Sequence, residues 1–485
     1  MKHKNFFSQR DYNKKTKNLF MERRTKIIST VGPKTNTESF ISKLCVAGTN
    51  VIRINMSHAS HAELEKIITI VKKINKSKIC SVGIMIDTQG PEIRTAPITK
   101  SIQLIKGEVV HLTPKALKGA KYIIVDNLKQ VKGLKKGGKV SLDNGAIDLK
   151  IKNIDKDKNV KCEVLDSGEI GSRKHVNFPG AKVTLPSLTD KDKKDIKYAI
   201  SKGVDFIALS FCRSKKDLNE LKKFLGKKVS DVEIFVKIED QEGLSNLEEV
   251  IENSDGVMVA RGDLGIETDI TNLPYIQRNI IKIASSKGKK SIVATQLLES
   301  MIDSPHPSRA EVSDVANAVY EGTDALMLSG ETSIGKYPVE CVKYIDQVAR
   351  NAERSETLHF ENNFKQQTDW HKLAATSVKL ASKIDADAIV VLTRSGFTAN
   401  LISRAKPTVP VFAFSNRLET QSKLSISSST QNLFLKFTKD HEKTINSAFE
   451  VLKKHYKMKG RKKFVVISGV FSDIYADAIQ IRSFG

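Results

Sequence analysis

At 485 residues, 40% of them apolar, the chain is long enough to bury two to four domain cores. No apolar run reaches the roughly 18 residues a membrane helix needs, and the five cysteines are scattered with no paired or metal-ligand spacing, so a membrane span and a thiolate zinc site are excluded and free thiols in a reducing cytoplasm are expected. The formal charge of +25 is carried by lysines spread along the whole length among acids, with few aromatics, which implies weak attraction to phosphates and not a dedicated nucleic-acid surface.

Residues 1–20 are basic and polar with no sustained period, and read as a disordered tail ahead of Met21, itself a plausible natural start. From residue 25, β-branched apolar runs alternate with helical patterns. The strands are expected at "TKIISTVG", "TNVIRINMSH", "SVGIMIDT", "DFIALSF", "EIFVKIE", "GVMVARGD", "SIVATQ" and "DALMLSGE". Eight nearly continuous apolar strands suit a closed parallel (β/α)8 TIM barrel better than two doubly wound sheets, since no dinucleotide-type glycine fingerprint is present. The barrel is assigned to residues 21–90 and 187–355. Residues 91–186 instead show alternating segments and glycine turns, including "DNG" at 143–145, a strong hairpin signal. They are expected to form a small all-β domain inserted in a barrel loop, in the position of a lid. Residues 356–485 again alternate helix and strand, which predicts a separate C-terminal α/β domain.

Residues two apart on a strand share a face, about 6.6 Å from one another. Several of these strands end on polar groups at that spacing: Arg53, Asn55 and Ser57 on the second, and Asp87 and Thr88 on the third, with Glu92 and Arg94 just beyond. The fifth ends on Lys237 and Glu239, the sixth on Asp263, the seventh on Thr295, and the eighth on Ser329 and Glu331. One such end is an ordinary solvated terminus as often as not. Six in one barrel predict a ring of functional groups at its C-terminal face. Glu239 and Asp263, on neighbouring strands, suit one hard divalent cation, Mg²⁺ or Mn²⁺, and the lack of a nearby His or Cys cluster argues against zinc. Lys237, Arg53 and Arg94 supply positive charge for a phosphoryl group or an oxyanion. In "ARGDLG", Gly262 offers a backbone amide beside that metal carboxylate. Asn55, Ser57, Asp87 and Thr88 form a second, oxygen-only set suited to a monovalent cation.

These same stretches, "TKIISTVGP", "NVIRINMSHAS", "IDTQGPEIR", "KIEDQEG", "MVARGDLGIE", "ATQLLESMI" and "RAEVSDVANAVYEGTDALMLSGETSIGKYP", resemble the pyruvate kinase family in order over about residues 24–350. The resemblance implies transfer of a phosphoryl group from phosphoenolpyruvate to ADP, Mg²⁺ on Glu239 and Asp263, and K⁺ on Asn55, Ser57, Asp87 and the Thr88 carbonyl. It implies that Lys237 stabilises the transferring group and the enolate, and that Thr295 and Ser329 lie where the enolate is protonated. Arg53, Lys237, Gly262, Asp263 and Thr295 would contact the phosphoenolpyruvate, and Asn55, His58, Arg94 and Lys174 the nucleotide. An acid at Glu92 implies K⁺ dependence, and the family implies a cytoplasmic homotetramer. Met56, Gln89 and the "HAS" after Ser57 depart from the family pattern without removing a charged catalytic group. "LTRSGFTANL", with Thr393, Arg394, Ser395 and Thr398, reads either as the family's sugar-phosphate effector loop or as a helix start capped by Ser395 or Thr398. The closing segment "ISGVFSDIYADAIQIRSFG" lacks the family's glycine-rich second element, which argues against activation by a sugar phosphate. Two other readings remain open: a different barrel enzyme acting on phosphoenolpyruvate or 2-oxo acids, and a phosphate- or nucleic-acid-binding protein using the basic surface.

Overall fold

A computed structural model of the chain describes residues 23–76, 81–456, 458, 460–469 and 476–484. The tail assigned to residues 1–20 lies outside them, as does part of the glycine-poor closing segment. Eight parallel strands close into a barrel in chain order: β1 (Lys26–Thr30), β2 (Val51–Asn55), β3 (Gly83–Asp87), β4 (Phe206–Leu209), β5 (Glu233–Ile238), β6 (Gly256–Ala260), β7 (Lys290–Ala294) and β8 (Ala325–Leu328). β8 pairs back onto β1 with Lys26 opposite Ala325. The strands are almost wholly buried because alternate residues face two different cores. One set, including Ile52, Ile54, Ile207, Leu209, Ile234 and Val236, packs outward against the helices. The other, including Ile28, Val51, Met85, Phe206, Phe235 and Met258, fills the interior.

Between β3 and β4 the chain makes an antiparallel-rich six-stranded sheet and two short strand pairs around a separate apolar core. Its hairpin joins the strands Lys139–Leu142 and Ile147–Ile154. Asp143, Asn144 and Gly145 turn the chain with φ of 51°, 56° and 88°, the left-handed geometry such tight turns require. Beyond the barrel, β9 (Ala388–Leu392), β10 (Val411–Ser415), β11 (Thr430–Phe434) and β12 (Lys462–Ser468) form a parallel sheet, with β13 (Ala478–Phe484) antiparallel at one edge.

The C-terminal domain reaches into the barrel. Ile426 is fully buried within the interior cluster, at the N-terminal end of the strands. Gly83, the first residue of β3, makes room for this approach: a Cβ there would stand 2.4 Å from Ser425 Oγ and 2.6 Å from the Phe206 ring. The floor is thus closed by the third domain, and the open C-terminal mouth is left for chemistry.

Candidate active site

The mouth holds a cavity of about 430 Å³. Lys237 and Glu239 follow one another across the end of β5, so both point the same way. The Lys237 ammonium lies 2.9 Å from Glu239 Oε1 and 3.1 Å from Asp87 Oδ1, and donates to Ser210 Oγ at 2.9 Å. The other Asp87 oxygen accepts from Arg53 Nε and Nη2 at 2.8 and 2.6 Å, and Arg53 Nη1 donates to Thr30 Oγ1. Burial alone would strip the charge from Lys237, but Asp87, Glu239 and Asp263 outweigh it and hold the amine well above its ordinary value. Burial would also neutralise Asp87, and Lys237 and Arg53 reverse this, keeping it below the usual carboxylate range.

Glu239 goes the other way. Burial and the field of Asp263 push it above the usual carboxylate range, more than Lys237 offsets. Asp263 sits in the first turn of a helix, α2 (Arg261–Glu267), which starts at the end of β6; an earlier short helix, α1 (Gln241–Ser245), follows β5. Three carboxylates, Asp87, Glu239 and Asp263, therefore face two cations, Lys237 and Arg53, which leaves the site short of positive charge. This oxygen donor set fits a hard divalent cation that completes its shell with substrate and water. Among the described residues no group of three His, Cys, Asp or Glu side chains forms a self-sufficient metal site.

The rim is built on unusual backbone. Phe211, Thr295 and Gln296 adopt φ of 50°, 68° and 53°. For a β-branched Thr this is a strained conformation of the kind that clusters at functional sites. Arg261 braces it: Nη2 donates to the Thr295 and Gln296 carbonyls at 2.7 and 3.0 Å, while Nη1 is held by both oxygens of Asp314. The Phe211 amide donates to Glu239 Oε2 at 2.6 Å. The Gly262 amide donates to Thr295 Oγ1 at 2.9 Å. Ser329 Oγ is buried and forms no hydrogen bond among the described residues.

Most of the expected residues line this cavity: Arg53, Asn55, Ser57, His58, Asp87 and Thr88, together with Lys237, Glu239, Gly262, Asp263, Thr295 and Ser329. Glu92 and Arg94 line it too, paired at 2.7 Å, with His175 on the other Glu92 oxygen at 3.3 Å. Two residues behave differently. Lys174 is not among the lining residues; it pairs with Asp143 at the hairpin, 2.8 Å away. Glu331 is turned away from the mouth and fully buried, accepting from the Leu298 and Ser329 amides. Its role is to fasten strand ends, because a buried carboxylate facing two N–H groups is already satisfied. Sequence reasoning passed over Ser210, which joins Lys237 to the Thr88 carbonyl (2.7 Å) and to Asp87 (3.2 Å). Its signal was slight, a lone serine directly after the apolar run of β4.

In the C-terminal domain the helix at "GFTANL", α3 (Phe397–Arg404), takes Gly396 as its N-cap, with φ of 86°, and neither Ser395 nor Thr398 caps it. Thr393 Oγ1 accepts from the Gly396 amide and Ser395 Oγ from the Phe397 amide, while Thr398 is buried. The turn positions Thr393, Arg394 and Ser395 together ahead of the helix.

Comparison with known proteins agrees with this geometry. A family model described as "Pyruvate kinase, barrel domain" matches residues 22–342, and one described as "Pyruvate kinase, alpha/beta domain" matches residues 371–481. The chain belongs to the pyruvate kinase family. Similar members include plastidial pyruvate kinase 2 of Arabidopsis thaliana, 40% identical over 461 residues, which are 93% of this chain and 78% of that protein. Pyruvate kinase of Staphylococcus aureus (strain MRSA252) is 40% identical over 440 residues, 88% of this chain and 74% of the relative. The family matches span both the barrel that carries Lys237, Glu239 and Asp263 and the domain that carries Ile426.

Proposed function

We propose that this protein transfers the phosphoryl group of phosphoenolpyruvate to ADP, giving pyruvate and ATP. The observation that carries the reading is the Lys237 ammonium between Asp87 and Glu239 at the barrel mouth, with Asp263 beside them. Phosphoryl transfer asks a protein mainly for alignment and charge, and these residues supply both. Lys237, charged and braced by Ser210, faces the phosphoryl group in flight and then the enolate oxygen it leaves behind. Arg53, locked by Asp87 and Thr30, orients the phosphate end of phosphoenolpyruvate. Glu239 and Asp263 would hold Mg²⁺ or Mn²⁺, which supplies Lewis-acid stabilisation of the charge that develops on the transferring oxygens. Asn55, Ser57, Asp87 and the Thr88 carbonyl, all oxygen donors, suit K⁺. Thr295, on its strained backbone, and the Ser329 hydroxyl, unpaired among the described residues, border the face from which the enolate takes its proton. His58 and Arg94 contact the nucleotide; Lys174, held by Asp143 at the hairpin, would reach it only on leaving that pair. The inserted domain serves as the lid, and the assembly is a cytoplasmic homotetramer. Thr393, Arg394 and Ser395, with Thr398 in the first turn of α3, correspond to the family's effector loop, while the missing glycine-rich second element argues against activation by a sugar phosphate.

The test is pyruvate release from phosphoenolpyruvate and ADP by the full chain, followed with and without Mg²⁺ and with K⁺ replaced by tetramethylammonium. Activity is expected to need both ions. Turnover undiminished without K⁺ removes the monovalent site from the reading, and no pyruvate under any condition removes the reaction.

A further inference from the structure

The inserted domain meets the barrel at a junction that the chemistry above does not use. Asn177, in the strand Val176–Asn177, donates from Nδ2 to Glu267 Oε1 at 3.2 Å. Glu267 closes α2, the helix that carries Asp263, and its carbonyl accepts from Gln241 Nε2 at 2.6 Å. Gln241 in turn opens α1, two residues past Glu239. One residue, through its carboxyl and its backbone carbonyl, therefore ties the inserted domain to the helices that follow both carboxylates.

An irregularity marks this junction. Asn177 Oδ1 is buried and forms no hydrogen bond among the described residues, although its amide nitrogen is engaged. Folded proteins rarely leave a buried acceptor unpaired. The pair borders a small cleft of about 50 Å³ that Glu92, His175, Arg213 and Asp240 also line. Arg213 is committed to the Val183 and Leu185 carbonyls and His175 to Glu92. Burial, with Asp240 and Asp263 adding to it, pushes the Glu267 carboxyl up to about 7 despite its bond from Asn177.

We propose that Glu267 and Asn177 form a two-bond acid–amide latch that seats the inserted domain over the mouth, making Glu267 a positioning residue for the nucleotide side of the site. A carboxylic acid accepts from Nδ2 through its carbonyl and donates its O–H to Oδ1, so both amide atoms are satisfied; an ionised carboxylate has no donor for Oδ1. Ionisation removes one of the two bonds and leaves a buried charge, and the latch loosens. The nucleotide-side consequence rests on the kinase reading; the latch itself does not.

The discriminating variant is Glu267→Gln, because a glutamine amide reproduces both bonds and never ionises. Glu267→Ala and Asn177→Ala each remove them. Backbone hydrogen exchange over residues 139–154 and 176–183 is expected to quicken about fivefold in either alanine variant, and the double variant to add little. The KM for ADP is expected to rise about tenfold in both, with the KM for phosphoenolpyruvate and the affinity for Mn²⁺ within about twofold of the starting protein. Glu267→Gln should match the starting protein at pH 6.5 and hold its low ADP KM at pH 8.5, where the starting protein's rises. Unchanged exchange in both alanine variants, or a Glu267→Gln protein as loose as Glu267→Ala at pH 6.5, overturns the latch. The exchange comparison reads the same in a protein that releases no pyruvate, so failure of the reaction and failure of the latch are told apart.

Discussion

Lys237 keeps its charge where burial disfavours it, because three carboxylates surround it and Arg53 offsets only part of their field. That balance makes it the group most able to follow charge moving from phosphate to enolate. Replacement by methionine keeps the volume and removes the charge, so kcat is expected to fall by about three orders of magnitude or more. The affinity for Mn²⁺, measured directly, should remain within about tenfold, since Glu239 and Asp263 remain. A variant within tenfold of the starting turnover contradicts the role given to Lys237. This pair was legible in the sequence because alternation in a strand fixes which residues share a face. Ser210 was not, although it touches the same amine, because it stands alone after β4 with no second polar residue in step. Glu331 misled for the opposite reason: its spacing from Ser329 suits a strand, but the chain turns into a short helix at Gly330 and carries the carboxylate inward.

Among elements, the β6–α2 and β7 ends depend on one another through Arg261. Its guanidinium binds the carbonyls of the two left-handed residues, Thr295 and Gln296, and is itself fixed by Asp314. Lysine at this position keeps the charge but cannot fork across two carbonyls and a carboxylate at once. Arg261→Lys is therefore expected to relax the strained turn and lower kcat about tenfold, with KM values within about threefold. Equal activity in the two proteins shows that the turn holds itself. Apolar β-branched runs made the eight barrel strands readable, and the "DNG" tripeptide the hairpin, since both signals are local. The left-handed backbone at Thr295 and the glycine cap of α3 were unreadable, because tertiary contacts and not local preference set them.

At the scale of the whole molecule, the barrel floor belongs to another domain, and nothing in the serine-rich "SISSST" announced that its one isoleucine would fill a barrel. Ile426→Ala opens a cavity in that floor, at a cost of about 2–5 kcal/mol, and both domains should lose stability in one transition. Around it runs a polar seam, in which Lys406 and Ser428 meet Asp324, and Asp205 accepts from Ser422 Oγ and from the Ile84 amide. Asp205 is buried, and that burial pushes it up to about 6 even against these two bonds. The unfolded chain holds the same carboxyl near about 3.9, so between these values the folded protein binds the proton more tightly. Stability is therefore gained as pH falls from about 6 towards 4, and above pH 6 the buried charge costs roughly 2–3 kcal/mol. Asp205→Asn keeps an acceptor for the Ile84 amide, and the Ser422 hydroxyl can turn to accept from its new N–H. The variant should melt about 3 °C higher than the starting protein at pH 8, a gap that closes by pH 4. Lower melting at pH 8 shows instead that the charge on Asp205 holds the two domains together.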